Sequence, residues 1–284
     1  MGRTTIHIFH TGRVFVSPNL PYGGDHCSFI KASGFFSSKK DWIWLPVSSY
    51  LIEHEKGLVL VDCGWNRTMS PDGVFDKKAQ IKSLDSPILF RTDPGYVKKE
   101  KTVSEQLDRL GIKPKDLDYV ILTHLDCDHA NGIPLIKGAK HILVSPEELA
   151  GARKPSPVAK IRYREVWWKG SGLKTFKWND RQGPAGKSFD LFGDGSVEII
   201  LIPGHSDGLC AVKITNEAGQ YVLLTSDGAY SDKSWEEMIT AGICTDKAWQ
   251  KKSLRWIRRQ SRDPKCIASI ANHDPNVKPH DITF

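Results

Sequence analysis

The sequence predicts an α/β fold in layers, and three observations carry that prediction. Short runs rich in Val and Ile recur along the chain, segments with helical spacing lie between them, and five of the runs stop at an Asp or a His. Taken in order, Leu58-Val59-Leu60-Val61 stops at Asp62. Thr102 to Leu110, closed by Gly111, carries Val103, Gln106, Leu107 and Leu110 at helical spacing. Tyr119 to Thr123 stops at His124, and Pro146-Glu147-Glu148-Leu149 reads as a first helical turn after a Ser145 cap. Val197 to Ile202 runs through Pro203-Gly204 to His205, and Tyr221 to Ser226 ends at Asp227. Asp246 to Arg262 sets Trp249, Leu254, Trp256 and Ile257 among basic residues, the pattern of an amphipathic helix with a basic outer face. Ile267 to Asn272 ends at His273. Runs this short and this rich in β-branched residues are expected as buried strands. Two segments, 17–44 and 151–189, are loop-rich and are expected as excursions from one core, without internal repeats or low complexity.

With 284 residues, 39% hydrophobic and 26% charged, and a mean hydropathy of -0.37, the chain has a globular composition and enough length for a sizeable core. No stretch reaches the roughly 18 to 20 apolar residues of a membrane span, and the polar start has no secretory core, so a cytoplasmic protein is expected. Ile6 stands where a myristoylation signal needs Ser or Thr, so no lipid anchor is expected. Six scattered cysteines without a CxxC pair are expected to be reduced thiols.

The net charge of +7 would suit nucleic acid, an anionic membrane or an acidic substrate. It is local, however. Residues 151–190 hold ten Lys and Arg against three Asp and Glu, and residues 246–265 hold eight against two. The remaining 22 basic and 28 acidic residues form a mildly acidic body.

The densest cluster of metal-ligating residue types is Thr123-His124-Leu125-Asp126-Cys127-Asp128-His129, directly after a predicted strand. Alternation beyond the strand end aims His124 and Asp126 at one centre and turns Asp128 and His129 toward another. A lone His or Asp at a strand end is ordinarily a cap or turn former. Four such residues within six positions, joined by His205, Asp227 and His273 at later strand ends, favour a metal site, because imidazole and carboxylate are the usual ligands of hydrolytic metals. Asp227, with two carboxylate oxygens, could bridge two ions. Cys127 is expected to point away as a packed thiol, and His7, His10, His26, His54, His141 and His280 lie outside the pattern.

The HxDxDH segment (124–129), PGH (203–205), SDG (226–228), NHD (272–274) and VDCG (61–64) together resemble the metallo-β-lactamase superfamily of binuclear hydrolases. Within it, the chain is most similar to the N-acyl homoserine lactonases that degrade quorum-sensing signals. The similarity runs from 45–64 through 109–129 to the last strand before His273 and is poor across 151–190. The resemblance implies a four-layer αββα sandwich with a binuclear metal site at the sheet edge, in one domain over 1–284 with a basic, Trp-containing insertion at 151–190. It implies two divalent ions held by His124, Asp126, Asp128, His129, His205, Asp227 and His273, zinc by family, and Asp62 as the group that orients a ligand histidine.

Lactonases of this family carry a tyrosine at the position of Tyr230, whose phenol can hydrogen-bond the lactone carbonyl. Asp128 would pass a proton to the departing alkoxide after a metal-bridging hydroxide attacks. The family pattern is HxHxDH, and Asp126 departs from it. A carboxylate there adds a negative charge, which favours iron or manganese, or else marks a degenerate first site. A small lactone or ester is the expected substrate, and nucleic acid and membrane are not expected partners. Nothing in the sequence points to a particular oligomeric state. Another lactone or ester, a nuclease served by the basic stretches, and a non-catalytic metal-binding protein stay open as alternatives.

Overall fold

A computed structural model describes residues 4–155 and 159–284. The Met1-Gly2 start, where no lipid anchor is expected, and residues 156–158 of the basic segment lie outside the described residues.

The strands are β1 (Thr5–Val16), β2 (Ile43–His54), β3 (Gly57–Val61), β4 (Gly95–Tyr96), β5 (Tyr119–Leu122), β6 (His141–Val144), β7 (Lys174–Thr175), β8 (Ser188–Asp190), β9 (Val197–Leu201), β10 (Cys210–Thr215), β11 (Tyr221–Ser226), β12 (Cys266–Ala271) and β13 (Asp281–Thr283). They form two sheets. The first runs β13-β1-β2-β3-β5-β6-β7, with β4 also on β1, and the second runs β12-β11-β10-β9-β8. The five strands expected to end at Asp or His are β3, β5, β9, β11 and β12.

Alternation along each strand sorts side chains into layers. Val59, Val61 and Ile121 of the first sheet face Val197, Ile199, Val212, Ile214, Val222 and Leu224 of the second, in one buried cluster between the sheets. Their neighbours Leu60, Val120 and Leu122 point the other way, against Leu84, Val103 and Leu107 of helices Lys77–Leu84 and Val103–Arg109. Ile200, Ala211 and Leu223 on the far side of the second sheet pack on Leu254, Trp256 and Ile257 of helix Lys247–Ser261. The stack is therefore helix, sheet, sheet, helix: a four-layer αββα sandwich.

Helix starts follow the sequence closely. Thr102 and Glu105 form a reciprocal capping box, Ser145 caps Pro146–Arg153, and Asp246 caps Lys247–Ser261. In the last helix Trp249 is only half-buried, with the Lys252 ammonium 4.1 Å from its ring centre, and the buried face is completed instead by Gln250 and Ser253.

The basic segment is more than an excursion. It supplies β7 to the edge of the first sheet and β8 to the edge of the second. Trp167 and Trp168 are buried, and the Trp178 indole donates to both Glu147 carboxylate oxygens at 3.0 and 3.1 Å. All six cysteines are free thiols, and Cys127 packs in the first apolar cluster. No helix among the described residues is long and apolar enough to cross a membrane.

Candidate metal centre

Parallel pairing brings the polar strand ends to one edge of the sandwich. β3 and β5 pair with Val61 opposite Ile121, so Asp62 and Thr123 emerge side by side. β11 and β12 pair with Ser226 opposite Ala271, so Asp227 and His273 emerge together from the other sheet. The two edges are tied by the Thr123 and Ser226 hydroxyls at 2.7 Å and by the Ser48 hydroxyl, which donates to the Asn272 carbonyl at 2.8 Å. His205 follows β9 through a turn at Gly204. There φ is +133°, and a Cβ would lie 2.2 Å from the Gln250 nitrogen, so only glycine lets the turn close on the last helix.

Two buried carboxylates brace this edge. Asp62 accepts the Thr123 amide and hydroxyl at 2.8 to 3.0 Å, and its Oδ2 lies 2.7 Å from His129 Nδ1. Glu148 accepts the Leu125 amide at 3.0 Å on one oxygen. Its other oxygen accepts the Ser206 hydroxyl at 2.6 Å and the Gly208 amide at 3.2 Å, joining the loops that carry His124 and His205.

Three groups of ligand atoms converge: His124, Asp126 and His205; His124, His129 and Asp227; and Asp128, His129 and His273. The Nδ1 of His273 lies 2.7 Å from the Pro46 carbonyl, as that of His129 does from Asp62, so both rings turn Nε2 inward. Each of these Nε2 atoms is 3.2 Å from Asp227 Oδ1, and His273 Nε2 is 3.4 Å from Asp128 Oδ2. Tetrahedral ligands at zinc bond lengths lie about 3.3 Å apart. Asp227 Oδ1 and His124 Nε2 are buried with no hydrogen-bond partner among the described residues, as donors aimed at a cation would be. This donor set fits a divalent metal ion.

Tyr230 lies over the cluster, its ring stacked on His273 with centroids 5.2 Å apart and 6.0 Å from that of His205. Burial, with Asp227, Asp126 and Asp128 adding, pushes its phenol well above the ordinary value of 10, so it stays a proton donor.

The first group has a further occupant. Arg162, from the basic segment, donates from Nε to Asp126 Oδ1 at 2.8 Å and from Nη2 to Asp126 Oδ2 at 2.6 Å. The same Nη2 lies 2.9 Å from His205 Nε2, and Nη1 donates to the His205 carbonyl at 2.8 Å. Burial and the Arg162 charge lower the His205 imidazole to about 4, which keeps it a neutral acceptor.

Residues 42–223 match the family description of the metallo-beta-lactamase superfamily. The chain belongs to that superfamily. Among its relatives, the N-acyl homoserine lactonase AttM of Rhizobium radiobacter is 28% identical over 82% of this chain and 83% of its own. The probable metallo-hydrolase Rv2300c of Mycobacterium tuberculosis is 30% identical over 80% and 71%. A solved N-acyl homoserine lactone hydrolase with N-hexanoyl-L-homoserine at its catalytic metal centre superposes with a TM-score of 0.73 at 21% identity, covering 97% of this chain and 95% of that one. The dizinc quorum-quenching lactonase AidC superposes with a TM-score of 0.63 at 16% identity, covering 100% and 95%. These two likenesses are likenesses of fold.

In this superfamily member the seven predicted metal-ligating residues, Tyr230 and Asp62 all meet at one edge. Sequence reasoning missed Arg162, Glu148 and a neighbouring cavity of about 230 Å³ lined by Phe35, Ile88, Ile161, Ile243, Asp93 and Arg162. The signal for Arg162 was there in part: a carboxylate at an expected His position calls for a cation, and 151–190 is rich in them. Arg162 also offsets the extra negative charge from which a preference for iron or manganese was argued.

Proposed function

We propose that the chain is a metal-dependent hydrolase that opens the ring of N-acyl homoserine lactones. One observation carries the choice of substrate. Arg162, which bonds Asp126 and His205 of the ligand cluster, also lines the apolar cavity, so an acyl chain lying there would have its lactone head directed toward Tyr230 and the metal-ligating residues. The relatives named for this activity support the reading.

Asp128, His129, Asp227 and His273 would hold a divalent ion, zinc by the match to imidazole and carboxylate donors. When bound, such an ion supplies Lewis acidity and brings a water's pKa down to near 7. The protein does the rest. The Tyr230 phenol, kept protonated by burial, donates to the lactone carbonyl as negative charge grows on its oxygen. The Asp128 carboxylate would take a proton from the water that attacks the carbonyl and pass it to the departing ring oxygen as the ring C–O bond breaks. Asp62 holds His129 in the tautomer that presents Nε2.

A nuclease is not favoured, because three cations of the basic segment are held in ion pairs within the chain: Arg162 with Asp126, Arg164 with Asp85, and Lys187 with Glu147. The aromatic rings Trp167 and Trp168 are packed inside rather than offered to bases.

The test is ring opening of a panel of acyl chain lengths by zinc-loaded protein, followed by proton release. Opening of at least one length is expected. An inert panel, with cleavage of a different ester or an amide, would overturn the reading.

A further inference from the structure

We propose that Arg162 takes the place of one of the two metal ions of the binuclear arrangement, so that this centre holds a single divalent ion beside a fixed guanidinium. The proposal rests on reading the cluster as a metal centre and is independent of the lactone assignment.

The donor atoms decide it. A metal in the first group would need Asp126 Oδ2 and the lone pair of His205 Nε2, which lie 3.1 Å apart. Arg162 Nη2 already points an N–H at each, at 2.6 and 2.9 Å. An imidazole nitrogen has one lone pair, so at His205 the guanidinium and a metal exclude each other. The remaining contacts, Nε on Asp126 Oδ1 and Nη1 on the His205 carbonyl, fix the plane of the guanidinium in a bidentate fork that a lysine could not form.

Leaving this position would be costly. The Arg162 side chain is 12% exposed and that of Asp126 17%, so separation would strand two charges with little water. The space next to Arg162 is the cavity walled by Phe35, Ile88, Ile161 and Ile243, and its one lining carboxyl, Asp93, is engaged by the Thr92 hydroxyl at 2.6 Å.

Charge supplies an independent argument. An Asp in place of a neutral His adds one negative charge, and Arg162 returns one positive charge through a direct fork. The two departures balance as a pair: Asp126 alone would strengthen the first site's hold on a metal, whereas Asp126 with Arg162 converts that site into an ion pair. In the second group, Asp128, His129, His273 and Asp227, the described residues place no guanidinium or ammonium on a ligand atom; the neutral Asn272 amide stands 3.4 Å from His129 Nε2, a longer contact than either Arg162 makes, and the Nε2 atoms stay turned inward. Arg162 also lines the cavity, where a cation can meet the carbonyl or carboxylate oxygen of a bound ligand.

The experiment counts metal without substrate. Full-length wild type and the variants Arg162→Met and Arg162→Lys are incubated with excess zinc and desalted, and zinc per chain is measured by elemental analysis and native mass spectrometry. About one zinc per wild-type chain is expected, rising to about two in Arg162→Met, with Arg162→Lys above wild type because one ammonium cannot span Asp126 and His205. Two zincs retained by wild type would overturn the proposal without recourse to any variant. A count that stays at one in a folded Arg162→Met would also overturn it. No zinc in wild type would overturn the metal reading itself, and is thereby told apart from a failure of Arg162 alone.

Discussion

The Asp62 carboxylate lies 2.7 Å from Nδ1 of His129 and accepts both donors of Thr123, so one buried side chain sets the ring of a candidate ligand and the strand end that carries His124. Asp62 itself sits at φ +59°, a left-handed conformation that aims its carboxylate back over β5. Asp62→Ala leaves Nδ1 of His129 without its acceptor, and outer partners of this kind are worth about 10 to 100-fold in metal affinity. The expected outcome is a loss of that size in zinc affinity, read by chelator competition, and an unchanged affinity would remove Asp62 from the metal site.

Among the described residues the Tyr230 hydroxyl makes no hydrogen bond that braces the strand ends, so it can be deleted with little strain. Tyr230→Phe keeps the ring stacked on His273 and removes only the donor. Loss of one oxyanion donor ordinarily lowers kcat by about 10² to 10³-fold. A drop of that order is expected with KM and zinc content little changed. If KM rises while kcat holds, the phenol binds substrate but does not act on the developing charge.

Much of this site is legible in the sequence because strand ends leave marks: β3, β5, β9, β11 and β12 are short, mainly apolar runs that lead into an Asp or a His, with Glu198 and Ser269 as polar members inside two of them. What is harder to read has physical causes. β2 mixes Pro46, Ser48 and Ser49 into its run, and those residues are buried at the edge where the site is built, so its composition reflects the site as well as the strand. β7 and β8 are only two and three residues long, too short for periodicity to register. Arg162 meets Asp126 across 36 positions, a pairing that no local pattern encodes. The cavity is likewise assembled from segments around residues 35, 88, 161 and 243, each apolar for no visible local reason.

Glu148 is a brace whose removal exposes how strongly the two ligand loops depend on each other. Its oxygens accept from Leu125, Ser206 and Gly208, and in Glu148→Ala two backbone amides and a hydroxyl lose their acceptor in the interior. An unsatisfied buried group costs about 1 to 3 kcal/mol. A stability loss of at least that size is expected from urea denaturation, with Glu148→Gln recovering part of it because one amide oxygen can still accept. A loss within experimental error would mean that the loops hold their shape without the brace.

Acid sensitivity should trace in part to His10, on β1 and remote from the candidate metal-ligating residues in sequence. Burial, with the charges of Lys278, Arg13 and Lys101 adding and the Val277 backbone opposing, lowers its imidazole from 6.5 to about 4, and its Nε2 is buried without a hydrogen-bond partner among the described residues. Between those two values the unfolded chain binds the proton that the folded protein refuses, so stability rises with pH there. The contribution is fully present above 6.5 and is lost as pH falls toward 4. His10→Phe removes the titrating group and should flatten the difference between denaturation midpoints at pH 7.5 and pH 5 relative to wild type. An identical decline in both proteins would assign acid sensitivity to other groups, the ligand cluster first among them.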